Sequence, residues 1–166
     1  IFCSYLKDAV TKVSQHDTSG KLVREIELPA PGTADGFYAK REEKETYFTF
    51  ASYITPATIY KLDIASGKSE VYKQSKVQFK PEDYESNQVF YTSKDGTKVP
   101  MIITYKKGIE LNGKNPCLLY GYGGFNISMV PQYSPSRLLL IENGAVFAMP
   151  NIRGGGEYGE NWHKAG

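Results

Sequence analysis

At 166 residues the chain has room for one domain or for parts of two. It is 40% hydrophobic, 13% aromatic and 23% charged, the composition of an ordinary globular protein. A net charge of +2, with no Lys/Arg run longer than two residues, gives no case for nucleic-acid binding, and no apolar run approaches membrane-spanning length. Ile1-Phe2-Cys3-Ser4-Tyr5-Leu6 lacks the basic start and cleavage pattern of a signal peptide and reads as a strand entered partway. Any targeting signal would precede Ile1, so composition does not separate a cytoplasmic from a periplasmic protein. Cys3 and Cys117 both sit in apolar, strand-like sequence and are expected to be buried free thiols rather than a disulfide. His16 and His163, the two histidines, are far apart in sequence, and the chain has no metal-ligand cluster and implies no cofactor.

Residues 1 to 76 repeat one pattern. Ala9 to Ser14 and Leu22 to Leu28 read as strands around an Asp17-Thr18-Ser19-Gly20 turn, and Pro29-Ala30-Pro31-Gly32 then breaks the chain. Gly36 to Ala39, Thr46 to Ser52, Thr58 to Asp63 and Ser69 to Lys73 follow as short strands. Ser66-Gly67-Lys68 stands in the second set where Ser19-Gly20-Lys21 stands in the first. Antiparallel strands at this spacing predict a sandwich, barrel or propeller, and a unit of roughly forty to fifty residues favours propeller blades. The mixed-charge run Arg41-Glu42-Glu43-Lys44-Glu45 reads as a solvated hairpin tip.

The texture changes near Pro81-Glu82-Asp83, which places a domain boundary near residue 76. Asn87 to Ser93 and Lys98 to Tyr105 flank Asp95-Gly96, the strongest short hairpin signal. Pro100 lacks a ladder donor and predicts an edge position or a bulge. Cys117 to Tyr120 reads as a buried strand that breaks into the glycine-rich turn Gly121-Tyr122-Gly123-Gly124-Phe125. Ser134-Pro135 starts a helix of two to three turns, with Ser134 as N-cap, and Asn143-Gly144 ends it. Ala145 to Met149 is an uninterrupted apolar strand of the kind buried on both faces of a parallel sheet. A second glycine-rich loop, Arg153 to Gly159, precedes a helix beginning at Asn161-Trp162-His163-Lys164. Hairpin, strand, helix, buried strand and helix predict the first half of an α/β sheet.

Glycines let a backbone approach a bound group closely, and a tyrosine in such a turn can aim its hydroxyl at a developing negative charge. The same turn could equally be a tight connection whose aromatics pack a core. Neither glycine loop fits the dinucleotide or phosphate-loop patterns. No Gly-x-Ser-x-Gly nucleophile elbow occurs, Ser128 is not flanked by glycines, and His163 beside Trp162 reads as structural.

Tyr120-Gly121-Tyr122-Gly123-Gly124-Phe125-Asn126, then Asn151-Ile152-Arg153-Gly154-Gly155-Gly156-Glu157-Tyr158-Gly159 and Trp162-His163-Lys164-Ala165-Gly166, resemble the prolyl oligopeptidase (prolyl endopeptidase) family. Tyr91 to Met101 matches the start of that family's catalytic domain, and the likeness is weaker, though in the right order, over residues 1 to 76. Oligopeptidases that cleave after basic residues share the Arg-Gly-Gly-Gly-Glu loop but lack this Tyr-Gly-Tyr-Gly-Gly-Phe turn. The resemblance implies a fragment of a two-domain serine peptidase. Residues 1–76 would be the last one to two blades of a seven-bladed β-propeller, and residues 77–166 the first half of an α/β-hydrolase domain. It implies hydrolysis of short peptides on the carboxyl side of proline, through an acyl-enzyme. Tyr122 would then donate to the oxyanion from the loop after the third strand, and Phe125 would line the proline-accepting pocket. Tyr120 is expected to pack, and the Arg153 to Gly159 loop to act as support. The family's Ser, Asp and His lie later than this sequence extends, so the 166 residues alone are expected to be inactive. The partners implied are short proline-containing peptides and the remainder of the parent polypeptide, with self-association through open strand edges and with no nucleic acid or membrane. The rival reading is a non-catalytic β-rich binding or scaffold module that folds cooperatively by itself.

Overall fold

Thr46, Phe48 and Phe50 alternate with Glu45, Tyr47 and Thr49 along the strand Glu45–Ala51, and the first set is buried while the second is exposed. That period of two is what a strand with one covered face requires. A computed structural model describes residues 1–166. They divide into two units, Ile1–Val77 with Pro131–Tyr133, and Gln78–Val130 with Ser134–Gly166.

In the first unit β1 (Phe2–Lys7), β2 (Val10–His16) and β3 (Leu22–Ile26) form one antiparallel sheet in chain order. β4 (Thr33–Tyr38), β5 (Glu45–Ala51), β6 (Thr58–Asp63) and β7 (Ser69–Gln74) form a second, also in chain order. The two Ser-Gly-Lys turns have a common construction. Asp17 Oδ1 accepts from Ser19 Oγ at 2.6 Å and from the Ser19 and Lys21 amides, while Asp63 Oδ1 accepts from Ser66 Oγ at 2.6 Å and from the Ser66 amide. Each carboxylate closes its turn by standing in for a backbone acceptor. The core joins both sheets through Val13, Ile26, Ala34, Phe37, Phe48, Phe50 and Leu62. A bulge between Gly36 and Tyr38 turns Phe37 inward, where its ring stacks on Phe48 at 4.6 Å, and Phe48 stacks in turn on Tyr60 at 5.2 Å. The Arg41–Glu45 run does lie exposed at the β4–β5 connection.

The second unit has a mixed sheet in the order β10-β11-β9-β8, built from β8 (Tyr84–Thr92), β9 (Lys98–Lys106), β10 (Cys117–Leu119) and β11 (Val146–Pro150). β10 and β11 are parallel, and β9 is antiparallel to both of its neighbours. β11 is buried throughout, as its unbroken apolar run requires. Helix α1 (Pro135–Glu142) carries Pro135 in its first turn. Ser134 occupies the N-cap but its hydroxyl pairs with Ser136 Oγ at 3.0 Å instead of a helix amide. Gly144 follows the C-cap residue Asn143 with φ +83°, and its N–H reaches the Ile141 carbonyl at 3.0 Å. The Glu142 carboxylate accepts from Lys106 Nζ at 2.6 Å and from the Tyr84 hydroxyl, which fastens α1 to the sheet. A short helix, α2 (Glu160–Lys164), closes the sequence, and no helix is long and apolar enough to cross a membrane.

Three sequence expectations need correction. Cys117, Leu118 and Leu119 are exposed, because within these 166 residues β10 has a neighbour on one side only. Both cysteines are exposed for the same reason, Cys3 lying on the outer strand of its sheet. Pro100 lies neither on an edge strand nor at a bulge, since β9 is flanked by β8 and β11. The β9–β11 register ends at Met101, however, so the missing N–H of Pro100 falls one residue beyond that ladder.

Phe48 is 1% exposed and stacked on both faces, so Phe48→Ala should destabilise the first unit by about 3–5 kcal/mol. Tyr72→Ala, at 62% exposure, should cost less than about 1 kcal/mol. Denaturant unfolding of the intact protein, followed by fluorescence, checks the ordering; equal effects would contradict this core.

Candidate functional site

Beyond β10 the Tyr120 amide still pairs with the Ala148 carbonyl at 3.0 Å, and then the chain leaves the sheet. Its first turns have little room for side chains. A Cβ on Gly121 would stand 3.3 Å from Pro150 Cγ, and one on Gly123 would stand 2.6 Å from Ile152 Cγ1 and overlap the Arg153 carbonyl oxygen. Gly154 has φ +95°, and a Cβ there would overlap the Gly123 carbonyl. A Cβ on Gly156 would stand 2.6 Å from the Asn126 carbonyl oxygen. The two glycine-rich loops therefore lie backbone against backbone, an approach that only residues without Cβ permit.

This contact sets the turn that follows. The Ile127 amide donates to the Gly124 carbonyl at 3.1 Å, and Phe125 and Asn126 have φ +53° and +59°. Those features define a type I′ turn. Asparagine tolerates such a φ, whereas phenylalanine there costs on the order of 1–2 kcal/mol. The Asn126 amide reaches the Gly154 carbonyl at 3.1 Å, so the second loop holds the strained turn in place. The result is an aromatic ring displayed outward, with Phe125 86% exposed.

Tyr122 is half-buried and folds over its own turn, its hydroxyl 3.4 Å from the position a Gly124 Cβ would take. That hydroxyl makes no hydrogen bond with the rest of the chain. A phenol held by a rigid turn with its O–H unengaged is a donor ready for an incoming acceptor. Tyr120 is instead half-exposed and lines an apolar groove with Leu118, Leu140 and Phe147. Over Phe147 lies the Arg137 guanidinium, 4.3 Å from the ring centroid.

The second loop, expected to act as support, is anchored by specific side chains. Arg153 forms an ion pair with Asp95 at the tip of the β8–β9 hairpin and donates to Ser93 Oγ at 3.3 Å. The Arg153 hydrogen bond, with help from the Thr97 amide, lowers the Asp95 carboxyl to about 2. Glu157, 5% exposed, accepts through Oε1 from the Met129 amide at 2.8 Å and from Asn151 Nδ2 at 3.1 Å. Asn151, 1% exposed, also donates to the Met129 carbonyl at 2.6 Å. His163 Nδ1 lies 2.8 Å from the Gly154 carbonyl, and Trp162 is buried edge-on to Tyr158 at 4.9 Å. The available signal for Glu157 was a lone carboxylate after three glycines, where exposed amides of irregular backbone need an acceptor.

The fold thus joins antiparallel blade-like sheets to a mixed sheet with α1, whose strand ends carry two closely packed glycine-rich loops. Residues 1–75 match the family model described as "Prolyl oligopeptidase, N-terminal beta-propeller domain", and residues 131–166 match "Prolyl oligopeptidase family". The chain is 59% identical over 165 residues to a prolyl endopeptidase of Elizabethkingia miricola, covering 99% of this chain and 23% of that protein. It is 37% identical over 169 residues to a prolyl endopeptidase of Dictyostelium discoideum, covering 99% and 22%. The solved apo structure of prolyl oligopeptidase B from Galerina marginata superposes with a TM-score of 0.88 at 34% identity, covering 99% of this chain and 24% of that one. The chain belongs to the prolyl oligopeptidase family. It spans about a quarter of the length of these relatives.

Two measurements probe this geometry. Gly123→Ala should displace the turn and lower activity of the intact protein by at least about tenfold, with Gly96→Ala, whose Cβ meets nothing within 4 Å, as the control for a glycine that only needs its φ of +87°. Asp95 should titrate near 2, below its ordinary 3.8, so the Arg153 pair contributes fully above about pH 4 and is lost as pH falls through 2. Arg153→Ala should move that midpoint up towards 3.8 in a carboxyl NMR titration, and an unmoved midpoint would contradict the pairing.

Proposed function

We propose that these residues form part of a serine oligopeptidase that hydrolyses short peptides on the carboxyl side of proline. Residues 1–76 are the last one to two blades of its propeller and 77–166 the opening of its α/β-hydrolase domain. The single observation that carries this reading is the Tyr122 hydroxyl, unengaged and held by a turn that two glycine loops make rigid. In this role Tyr122 donates to the oxygen that becomes negative as the acyl carbon turns tetrahedral. Its partner donor is a backbone N–H beside the nucleophilic serine. Because the donor is in place beforehand, little reorganisation accompanies the reaction. Phe125 presents an exposed ring suited to pack against the flat proline side of a substrate. Relatives that are prolyl endopeptidases support this choice of substrate, and solved structures of the Galerina protein with 35mer and 25mer substrates bound support a peptide as the partner.

The 166 residues contain no Gly-x-Ser-x-Gly elbow and so supply an oxyanion donor without a nucleophile. Alone they are inactive, and their open edges on β7 and β10 favour association with strands of other chains. In the intact enzyme Tyr122→Phe removes one hydroxyl and leaves the ring. It should lower kcat on a Gly-Pro anilide by about 10²–10³ with little change in KM. A loss of less than about threefold in kcat/KM would remove Tyr122 from the oxyanion role.

A further inference from the structure

The loop between Gly121 and Tyr133 has no regular secondary structure, yet one of its residues has both backbone polar groups held by side chains. The Met129 N–H goes to Glu157 Oε1 at 2.8 Å and its carbonyl receives Asn151 Nδ2 at 2.6 Å. The same Asn151 nitrogen reaches Glu157 Oε1 at 3.1 Å, so the three groups close a ring of hydrogen bonds. Asn151 is 1% exposed and Glu157 5% exposed, which shields the ring from water. Glu157 Oε2 packs against Gly155 and has no hydrogen-bond partner, so the carboxylate is committed to this one clamp. Asn151 follows directly on β11, whose five residues are all buried, and its own amide is fixed to the Pro100 carbonyl at 2.9 Å. The clamp is therefore referenced to the centre of the sheet and not to another loop.

We infer that Glu157, acting with Asn151, is a positioning residue for the Tyr122 turn. The turn Gly124–Ile127 is pinned on its leading side by Gly123 against Gly154 and on its trailing side by the Met129 clamp. Only Ser128 separates Met129 from the turn's last residue, Ile127, and the Phe125 backbone in that turn is strained. Freed from Met129, the turn can relax out of its left-handed conformation. Tyr122, at the turn's leading side, then loses its fixed placement even though Glu157 does not touch it. A displacement of about 1 Å at a catalytic donor costs up to about 10²-fold in rate, so the effect falls on kcat.

This inference rests on the oxyanion reading of Tyr122, and a double-mutant cycle in the intact enzyme separates the two. Glu157→Ala should lower kcat on a Gly-Pro anilide by about tenfold or more, with KM within about twofold. In the Tyr122→Phe background the same change should cost less than about threefold, because the group it positions is already gone. Glu157→Gln keeps an oxygen for the Met129 amide and should restore kcat to within about threefold of the parent. Glu157→Asp, which withdraws the oxygen by about 1.5 Å, gives the same cycle in a milder form if the alanine variant does not fold. Full, multiplicative losses in both backgrounds would overturn the positioning role while leaving the oxyanion reading intact. A Tyr122→Phe variant with unchanged kcat would instead overturn the oxyanion reading, and the inference with it.

Discussion

The Gly123 carbonyl lies where a side chain on Gly154 would have to be, and the Arg153 carbonyl lies where one on Gly123 would have to be. Everything specific about the site depends on that mutual exclusion. It brings two irregular loops close enough for the Gly154 carbonyl to capture the Asn126 amide, and it fixes the plane in which the Tyr122 turn runs. Irregular backbone normally lies loose on a surface. Here it is held by packing on the strand end at Pro150 and Ile152, so the loop inherits the rigidity of the sheet.

That rigidity explains how a strained residue persists. Phe125 adopts a backbone conformation that disfavours a bulky side chain, with its ring in solvent and little packing to offset the cost. The offset comes from neighbours: the Asn126 amide on Gly154, the Ile127 amide on Gly124, and the buried hydrogen-bond ring at Met129. Strain maintained by surroundings and paired with an unengaged hydroxyl is the combination expected where geometry must be set before a ligand arrives. The Asp95–Arg153 pair extends the support outward to the β8–β9 hairpin. At the surface such a pair adds little stability and serves mainly to orient.

Much of the architecture was legible because its causes are local. Alternation along Glu45–Ala51, the Asp95-Gly96 turn, Pro135 opening a helix and Gly144 closing it are each dictated by a few adjacent residues. The long motifs around Tyr122 and Arg153 carried the family. What the sequence concealed is non-local. Cys117 to Tyr120 has the composition of a buried strand, but its exposure depends on β10 having a neighbour on one side only. Pro100 argues locally for an edge, yet the extent of the β9–β11 ladder decides that the proline is tolerated inside the sheet. Glu157 and Asn151 sit six residues apart in a glycine-rich stretch, and their common target at Met129 emerges only when the two loops meet.

The central claim is that the two glycine loops hold Tyr122 where a tetrahedral oxygen will form. A crystal structure of the intact protein with a proline-based aldehyde or boronate bonded to its serine places that oxygen directly. The account predicts Tyr122 Oη within about 2.7–3.1 Å of it, with the Gly123–Gly154 contact and the Phe125 turn unchanged. A tetrahedral oxygen lying more than about 4 Å from Tyr122 Oη and served by other donors would contradict it.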